Sequence, residues 1–165
     1  MTESQRQPVP REDRSEATTP LAFLAFARAS LLKKLDGLDE EQVRRRLVAT
    51  DTTLLGLVQH SIDGERYWFD HVVAGNGPDD HGITFDFAVP PERTTDQVVA
   101  DYLAAVQASD AVIAAVGDFD AQTARTVDGV PKSLRWVVTH MTSEVARHAG
   151  HADILRELID GTTGR

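Results

Sequence analysis

The hydrophobic positions in the last part of the chain recur with the period of one long amphipathic helix. At about 100° per residue, the apolar side chains between residues 133 and 159 fall on a single stripe: Leu134, Val137, Met141, Val145, Ala152, Leu155 and Ile159. Ser133 is placed to cap the start of this helix, and Gly161 is placed to end it. The pattern therefore predicts a helix that buries one face along its whole length.

Three earlier segments have the same helical spacing of apolar residues. They predict long helices over residues 19–37, 51–75 and 94–117. Thr19 and Pro20 suit the first turn of the first helix, and Asp51 or Thr52 suits the start of the second. Thr94 and Gln97 have the spacing of a capping box, which marks the start of the third.

The segments between these helices are long. Residues 76–93 form a connector in which residues 84–87 alternate weakly like a short strand, and residues 118–131 form a loop with its turn at Asp128 and Gly129. Four long helices with long connections between the second and third and between the third and fourth predict an all-α fold, a four-helix bundle.

This pattern also predicts the domain boundaries. Residues 18–161 are expected to form the bundle. Residues 1–17 are polar and are expected to form a disordered arm, and residues 162–165 form a C-terminal tail.

Composition excludes several classes of function. The chain has 165 residues and a net charge of −9, which argues against a nucleic-acid surface built on clustered Lys and Arg. It has no run of about 20 uninterrupted apolar residues, as a bilayer-spanning helix needs, and no signal-peptide pattern, so we expect a cytoplasmic protein without a membrane partner. A homodimer is compatible with bundles of this kind.

Cysteine is absent. The chain therefore has no disulfide and no thiolate nucleophile of its own, and any metal ion must be held by His, Asp or Glu. Any thiol chemistry must use a thiol from outside the chain.

The last helix carries Glu144, His148 and His151 on one side, with His148 near the middle of the apolar stripe. Such groups are costly to bury unless they are hydrogen-bonded, paired or bound to a metal. Glu144 and His148 are four residues apart, which brings two ligands together on one helical turn. A buried hydrogen bond between Glu and His gives the same pattern, so the residues alone leave both readings open.

The second helix offers a third ligand. His60 and His71 point in nearly the same direction from an ideal α-helix, so helical geometry does not choose between them, although Gly64 leaves room beside His60.

The other polar candidates have simpler interpretations. His71 is expected at the surface or at the end of the bundle, His81 in a solvated loop, and His140 in a structural role at the edge of the inner face. Asp63 and Asp153 are candidates for supporting groups around a metal.

Two segments carry a family resemblance, LLGLVQHSIDGERYWF on the second helix and EVARHAGHADILRELIDG on the last. Their order and separation resemble the DinB-like (DinB/YfiT) metalloenzyme superfamily, especially its actinobacterial branch of mycothiol-dependent enzymes. The resemblance covers residues 19–161. It implies a divalent metal ion, best suited to zinc with nickel, iron or manganese also compatible, on the ligands His60, Glu144 and His148. His151 stands where many relatives have Gln, and it could be a ligand, a supporting group or the residue that acts on substrate; we take it as the catalytic candidate.

The resemblance implies a metal-dependent S-transferase that uses mycothiol as co-substrate, either on a small electrophile or in a thiol-dependent isomerisation. One alternative is a metal-dependent hydrolase whose metal-bound water is assisted by Glu144 or His151. Another is a non-catalytic, stress-related binding bundle in which His60, Glu144 and His148 form a buried polar network.

Overall fold

A computed structural model describes residues 8–79 and 82–163 of the chain. In chain order its elements are α1 (Thr18–Leu32), α2 (Glu40–Val43), α3 (Leu54–Glu65), α4 (Thr95–Val116), β1 (Gln122–Val127), β2 (Val130–Ser133) and α5 (Leu134–Asp160). The described residues are thus mostly helical, with one small two-stranded sheet. Residues 1–7 of the expected disordered arm, the last two residues of the tail and His81 lie outside the described residues.

The core lies between the long helices. α1 packs against α5, and α3 lies against both α4 and α5. The predicted stripe on α5 is confirmed, because six of its seven members are buried: Leu134, Val137, Met141, Val145, Ala152 and Leu155. Full burial of a Leu, Val or Met side chain contributes about 1.5 to 3 kcal/mol, so this one face is a large part of what holds the helices together.

The predicted helix ends are largely confirmed. Thr94 and Gln97 form a capping box at α4, and the Ser133 hydroxyl accepts the Trp136 amide at the start of α5. Gly117 and Gly161 end α4 and α5 in the left-handed region, where glycine has no steric penalty.

The starts of the first two long helices were predicted slightly wrongly. α1 begins at Thr18, whose amide donates to the Ser15 hydroxyl, so Thr19 is not the cap. α3 is capped by Thr53, whose hydroxyl accepts the Gly56 amide, and not by Asp51 or Thr52. Several neighbouring Ser and Thr can accept such a bond, and only the path of the entering chain selects one.

The second long helix is not α-helical throughout. After α3 the chain continues as a π-helix over Arg66–Val73, and beyond it the Ala74 amide donates to the Phe69 carbonyl at 3.0 Å. A π-helix has more residues per turn than an α-helix. His71 therefore no longer points in the direction of His60, contrary to the α-helical prediction.

The segment predicted as a loop over residues 118–131 contains a β-hairpin. β1 and β2 pair antiparallel around the predicted turn, where Asp128 and Gly129 have φ angles of 52° and 76°. Such positive φ angles match the twist of two-residue hairpins, and the Asp-Gly pair was the signal for them. Residues 84–87, predicted as a short strand, do not belong to the sheet.

A buried ion pair joins α1 to α3. The Arg28 guanidinium donates from Nε to Glu65 Oε1 at 2.7 Å and from Nη2 to Glu65 Oε2 at 2.6 Å. Its Nη1 donates to Asp110 Oδ1 of α4 at 2.8 Å. The sequence patterns did not predict this pair, which ties three helices together in the core.

Among the described residues, α4 alone is long and apolar enough to cross a membrane by length and composition. This is weak evidence, because the core helix of a soluble protein passes the same test.

Candidate functional site

An open pocket of about 460 Å³ lies between α5 and the helix formed by α3 and its π-helical continuation. Three pairs of residues face each other across it, one after another along its length. The His60 and His148 rings are 4.9 Å apart, Gly64 lies beside Met141, and the Trp68 and His140 rings are 4.5 Å apart. Because Gly64 has no side chain, the middle of the pocket keeps space that a larger residue at this position would fill.

His60 is held in one orientation by the connector after α3. Its Nδ1 lies 2.7 Å from the Phe85 carbonyl oxygen, and its ring stacks on that of Phe87 with centroids 4.5 Å apart. A carbonyl oxygen can only accept, so Nδ1 carries the hydrogen, and in the neutral ring the lone pair is on Nε2. Phe85 has a φ of 58°, which is uncommon for a residue other than glycine and is often found at functional sites.

Gly56 allows the connector to reach His60. A β carbon at position 56 would overlap the Phe87 carbonyl oxygen. The close approach of the two backbones, one helical turn before His60, therefore depends on glycine.

His148 is the buried member of the predicted set. Its Nδ1 has no hydrogen-bond partner among the described residues, and its Nε2 lies 3.9 Å from Glu144 Oε2. Burial, together with the nearby His60, Arg147 and His151, lowers the pKa of His148 to about 4. The ring is therefore neutral at physiological pH and keeps a lone pair for a hydrogen-bond donor or a cation.

Glu144 and His151 are not buried as predicted. Glu144 lines the pocket but is only half-buried, and its Oε2 accepts from Arg147 Nη2 at 2.6 Å. His151 is exposed and lies outside the pocket lining, with its ring centroid 6.1 Å from that of His148. The structure thus brings His60, Glu144 and His148 to one pocket and leaves His151 beside it.

The described side chains do not form a ready metal site. Across residues 8–79 and 82–163, no group of three or more His, Asp or Glu side chains is arranged to hold a metal ion. The contact between Glu144 and Arg147 is one reason, because it turns the carboxylate toward the guanidinium.

The remaining candidates lie elsewhere. His71 is buried in the last turn of the second long helix, which excludes the surface position and leaves the end of the bundle of the two expected, and its Nδ1 lies 3.2 Å from the Asn76 carbonyl oxygen. Asp63 accepts from the Gln59 amide at 3.3 Å, and its pKa is raised by burial. Both His71 and Asp63 line a second groove, of about 710 Å³. Asp153 is paired with Lys34 at 2.5 Å and lines neither cavity.

The far end of the pocket from His148 is aromatic, which sequence reasoning missed. The His140 ring packs on Trp68 with centroids 4.5 Å apart and stacks on Trp136 at 4.9 Å. Burial lowers the pKa of His140, while Glu144 opposes that shift. The spacing of four residues between Trp136, His140, Glu144 and His148 was the available signal, because it places them along one side of a helix.

Comparison with known proteins identifies the family. The mycothiol-S-transferase family matches residues 19–161, which is most of the chain and includes every residue of the pocket. Comparison with curated proteins gave no match. The resemblance to mycothiol-dependent enzymes, predicted from two helical segments, is thereby confirmed. The chain belongs to the mycothiol-S-transferase family.

Proposed function

We propose that the protein is an S-transferase that joins the thiol of mycothiol to a small electrophile in the pocket between α3 and α5. The observation that carries this proposal is the pairing of two imidazoles, His60 and His148, at one end of a pocket that aromatic and apolar side chains also line, in a chain of this family. The long helices α1, α3 with its π-helical continuation, α4 and α5 pack on one another and fit a four-helix bundle, and we propose that architecture for the domain.

We further propose that His60, Glu144 and His148 hold a divalent cation, with zinc the best match to two nitrogens and one oxygen. Three features fit this set. The hydrogen bond from His60 Nδ1 to the Phe85 carbonyl leaves the lone pair of the ring on Nε2. Histidines that bind metal ions commonly donate such a bond from their other ring nitrogen. His148 is neutral and has a buried nitrogen without a partner among the described residues. Glu144 completes the set once its half-exposed side chain turns away from Arg147.

A bound divalent cation would lower the pKa of the thiol and supply a thiolate at neutral pH. The chain's own residues then orient the reaction. The pocket walls hold the two reactants together, and the sulfur attacks the electrophilic carbon as the bond from that carbon to its leaving group breaks. The thiol proton goes to solvent, and we assign its transfer to His151, which is exposed beside His148.

The cytoplasmic location, the homodimer and the absence of nucleic-acid and membrane partners stay predictions from the sequence. They are compatible with an enzyme that consumes a soluble intracellular thiol.

The experiment is a conjugation assay with mycothiol and a small alkyl halide, with the thioether product detected by mass spectrometry. The purified protein, prepared without chelator, is assayed before and after EDTA treatment, and its metal content is measured. We expect product only with both mycothiol and metal. Ester hydrolysis without thiol would favour the hydrolase instead, and protein with neither metal nor conjugating activity would favour the non-catalytic bundle.

Two histidines of one helix provide a matched pair for the ligand assignment. His60→Ala is expected to lose bound metal, whereas His71→Ala is expected to retain it because His71 lies at the second groove. His151→Ala should retain metal and lose conjugation rate. Metal loss in His71→Ala with retention in His60→Ala, in proteins with unchanged circular dichroism, would refute the ligand set.

A further inference from the structure

Aromatic side chains are concentrated around the pocket. Phe, Trp and Tyr make up 6% of the chain. Three of the eleven residues that line the pocket nevertheless belong to this class, Tyr67, Trp68 and Phe85, and three more carry imidazole rings: His60, His140 and His148. The rings extend from the imidazole pair to the opposite end, so a bound molecule meets ring surface along most of its length.

The rings at the far end hold one another in place. Tyr67 lies edge-on to Trp68, with centroids 5.1 Å apart at 82°, and to Phe85, at 5.3 Å and 77°. Edge-to-face pairs of this kind are favoured by the charge distribution of aromatic rings. Trp136 does not line the pocket but stacks on His140, so it acts as a support for a ring that does.

Core packing alone does not account for this cluster. Tyr67, Trp68 and Phe85 are half-buried and border open space, whereas a core aromatic such as Phe69 is fully buried. A half-buried Trp beside a concave pocket is a common anchor for ligands.

The pocket has the length to separate two functions. His140 and His148 are eight residues apart on α5, a rise of about 12 Å. Gly64, between these ends on the opposite wall, lies close to Met141, whose Cε would be 3.5 Å from an added β carbon, so a residue larger than alanine there would press on Met141 and narrow the pocket. One end can therefore hold the reacting sulfur while the other holds the body of its partner.

We propose that the Tyr67, Trp68 and His140 end binds the electrophile and that it selects planar aromatic electrophiles over aliphatic ones. This inference rests on the proposed S-transfer. With a chlorinated nitroaromatic, the bond between sulfur and the ring carbon forms, the bond from that carbon to chlorine breaks, chloride leaves, and the thiol proton goes to solvent.

Binding is tested without catalysis. The chain has two tryptophans, Trp68 and Trp136, and both belong to this cluster, so their fluorescence reports on the pocket. The probe is 2,4-dinitroaniline, which is planar, absorbs light and has no leaving group. We expect saturable quenching in the wild type and a dissociation constant about two- to tenfold weaker in Trp68→Leu, restored in Trp68→Phe. Phe23→Leu, an exposed aromatic on α1, is the matched control and should leave the constant unchanged.

Catalysis provides the second readout, with 1-chloro-2,4-dinitrobenzene compared with iodoacetamide. Trp68→Leu should lower the ratio of kcat/KM for the aromatic to that for the aliphatic electrophile about two- to tenfold. An equal loss for both electrophiles, or no loss, would overturn the proposal. If Trp68→Leu does not fold, Gly64→Val is used in its place. Unchanged binding of dinitroaniline in Gly64→Val would also overturn the proposal.

The two proposals fail in different ways. Saturable binding of dinitroaniline without conjugation of either electrophile would refute S-transfer and leave the aromatic site standing. Conjugation of iodoacetamide without binding of dinitroaniline would overturn the aromatic site and leave S-transfer standing.

Discussion

The two sides of α3 bury polar groups in opposite ways. Toward α1, Glu65 is 0% exposed, yet each of its carboxylate oxygens accepts a bond from Arg28. Toward α5, a buried nitrogen of His148 has no partner among the described residues, and the nearest carboxylate, on Glu144, is turned to Arg147.

The difference separates a structural group from a functional one. Paired charges with matched hydrogen bonds need nothing further, whereas a buried polar atom left without a partner in a native fold calls for an explanation, such as a ligand or an ion. Burial by itself does not distinguish the two sides, because Glu65 is more buried than His148. The two sides differ in whether the buried polar atoms have hydrogen-bond partners.

The largest loss of stability is expected on the side toward α1, where the buried charges are paired. Glu65→Ala leaves the Arg28 guanidinium, 5% exposed, without its main counter-charge, and should lower the free energy of unfolding by about 3 to 5 kcal/mol. Urea denaturation followed by circular dichroism measures this. Asp110→Ala is the control: the Asp110 side chain is 60% exposed, so its loss should cost no more than about 1 kcal/mol. A similar small loss in both variants would contradict a structural role for the pair.

On the side toward α5, we expect a substitution to change activity strongly and stability little. His148→Leu removes a buried polar group that has no partner, so the free energy of unfolding of the metal-free protein should change by less than about 1 kcal/mol. Conjugation of mycothiol should fall about 100-fold or more. If the variant instead unfolds readily and the remaining folded protein is fully active, the contrast between the two sides is wrong.

Two glycines on the pocket side of α3 sharpen the comparison. Gly56→Ala forces the Phe87 carbonyl away, which should cost about 1 to 3 kcal/mol and weaken the contact between Phe85 and His60. Gly64→Ala has room for its methyl group, so it should be neutral or stabilise by up to about 1 kcal/mol. Thermal denaturation of the two variants measures the difference, and equal destabilisation would show that close backbone approach is not what Gly56 provides.

The smallest effect concerns pH. The pKa of His140 in the folded protein is lowered from 6.5 by burial. The unfolded chain therefore binds a proton first as pH falls below 6.5, and stability present above that pH is lost on the way down to the folded pKa. His140→Phe keeps a ring against Trp68 and Trp136 and should reduce the loss of stability between pH 7.5 and 5. The same pH dependence in both proteins, measured by urea denaturation, would assign that loss to other groups.

Local patterns were sufficient for much of the fold. The sequence patterns predicted the stripe on α5, the capping box at Thr94, the hydroxyl cap at Ser133 and the glycine ends at Gly117 and Gly161. Each of these depends on residues within about one helical turn of each other.

The candidate site was predicted in part for the same reason. Glu144 and His148 share a turn of α5, and the order of the two family segments placed His60 opposite them. The pairing of Glu144 with Arg147 was not predicted, although the two residues are three apart on α5, a spacing at which side chains meet. The exposure of His151 was not predicted, because it depends on which neighbouring elements cover that flank of α5.

Local patterns therefore predict most of the helices, the buried stripe on α5 and a set of histidines and a carboxylate that can meet. Which of these residues do meet depends on tertiary packing. Arg28 and Glu65 are 37 residues apart and pair only when the fold brings α1 beside the end of α3. The π-helix at Arg66–Val73 separates His71 from His60 and brings Trp68 to the pocket. These outcomes depend on contacts between distant segments, whose free energies no local pattern contains.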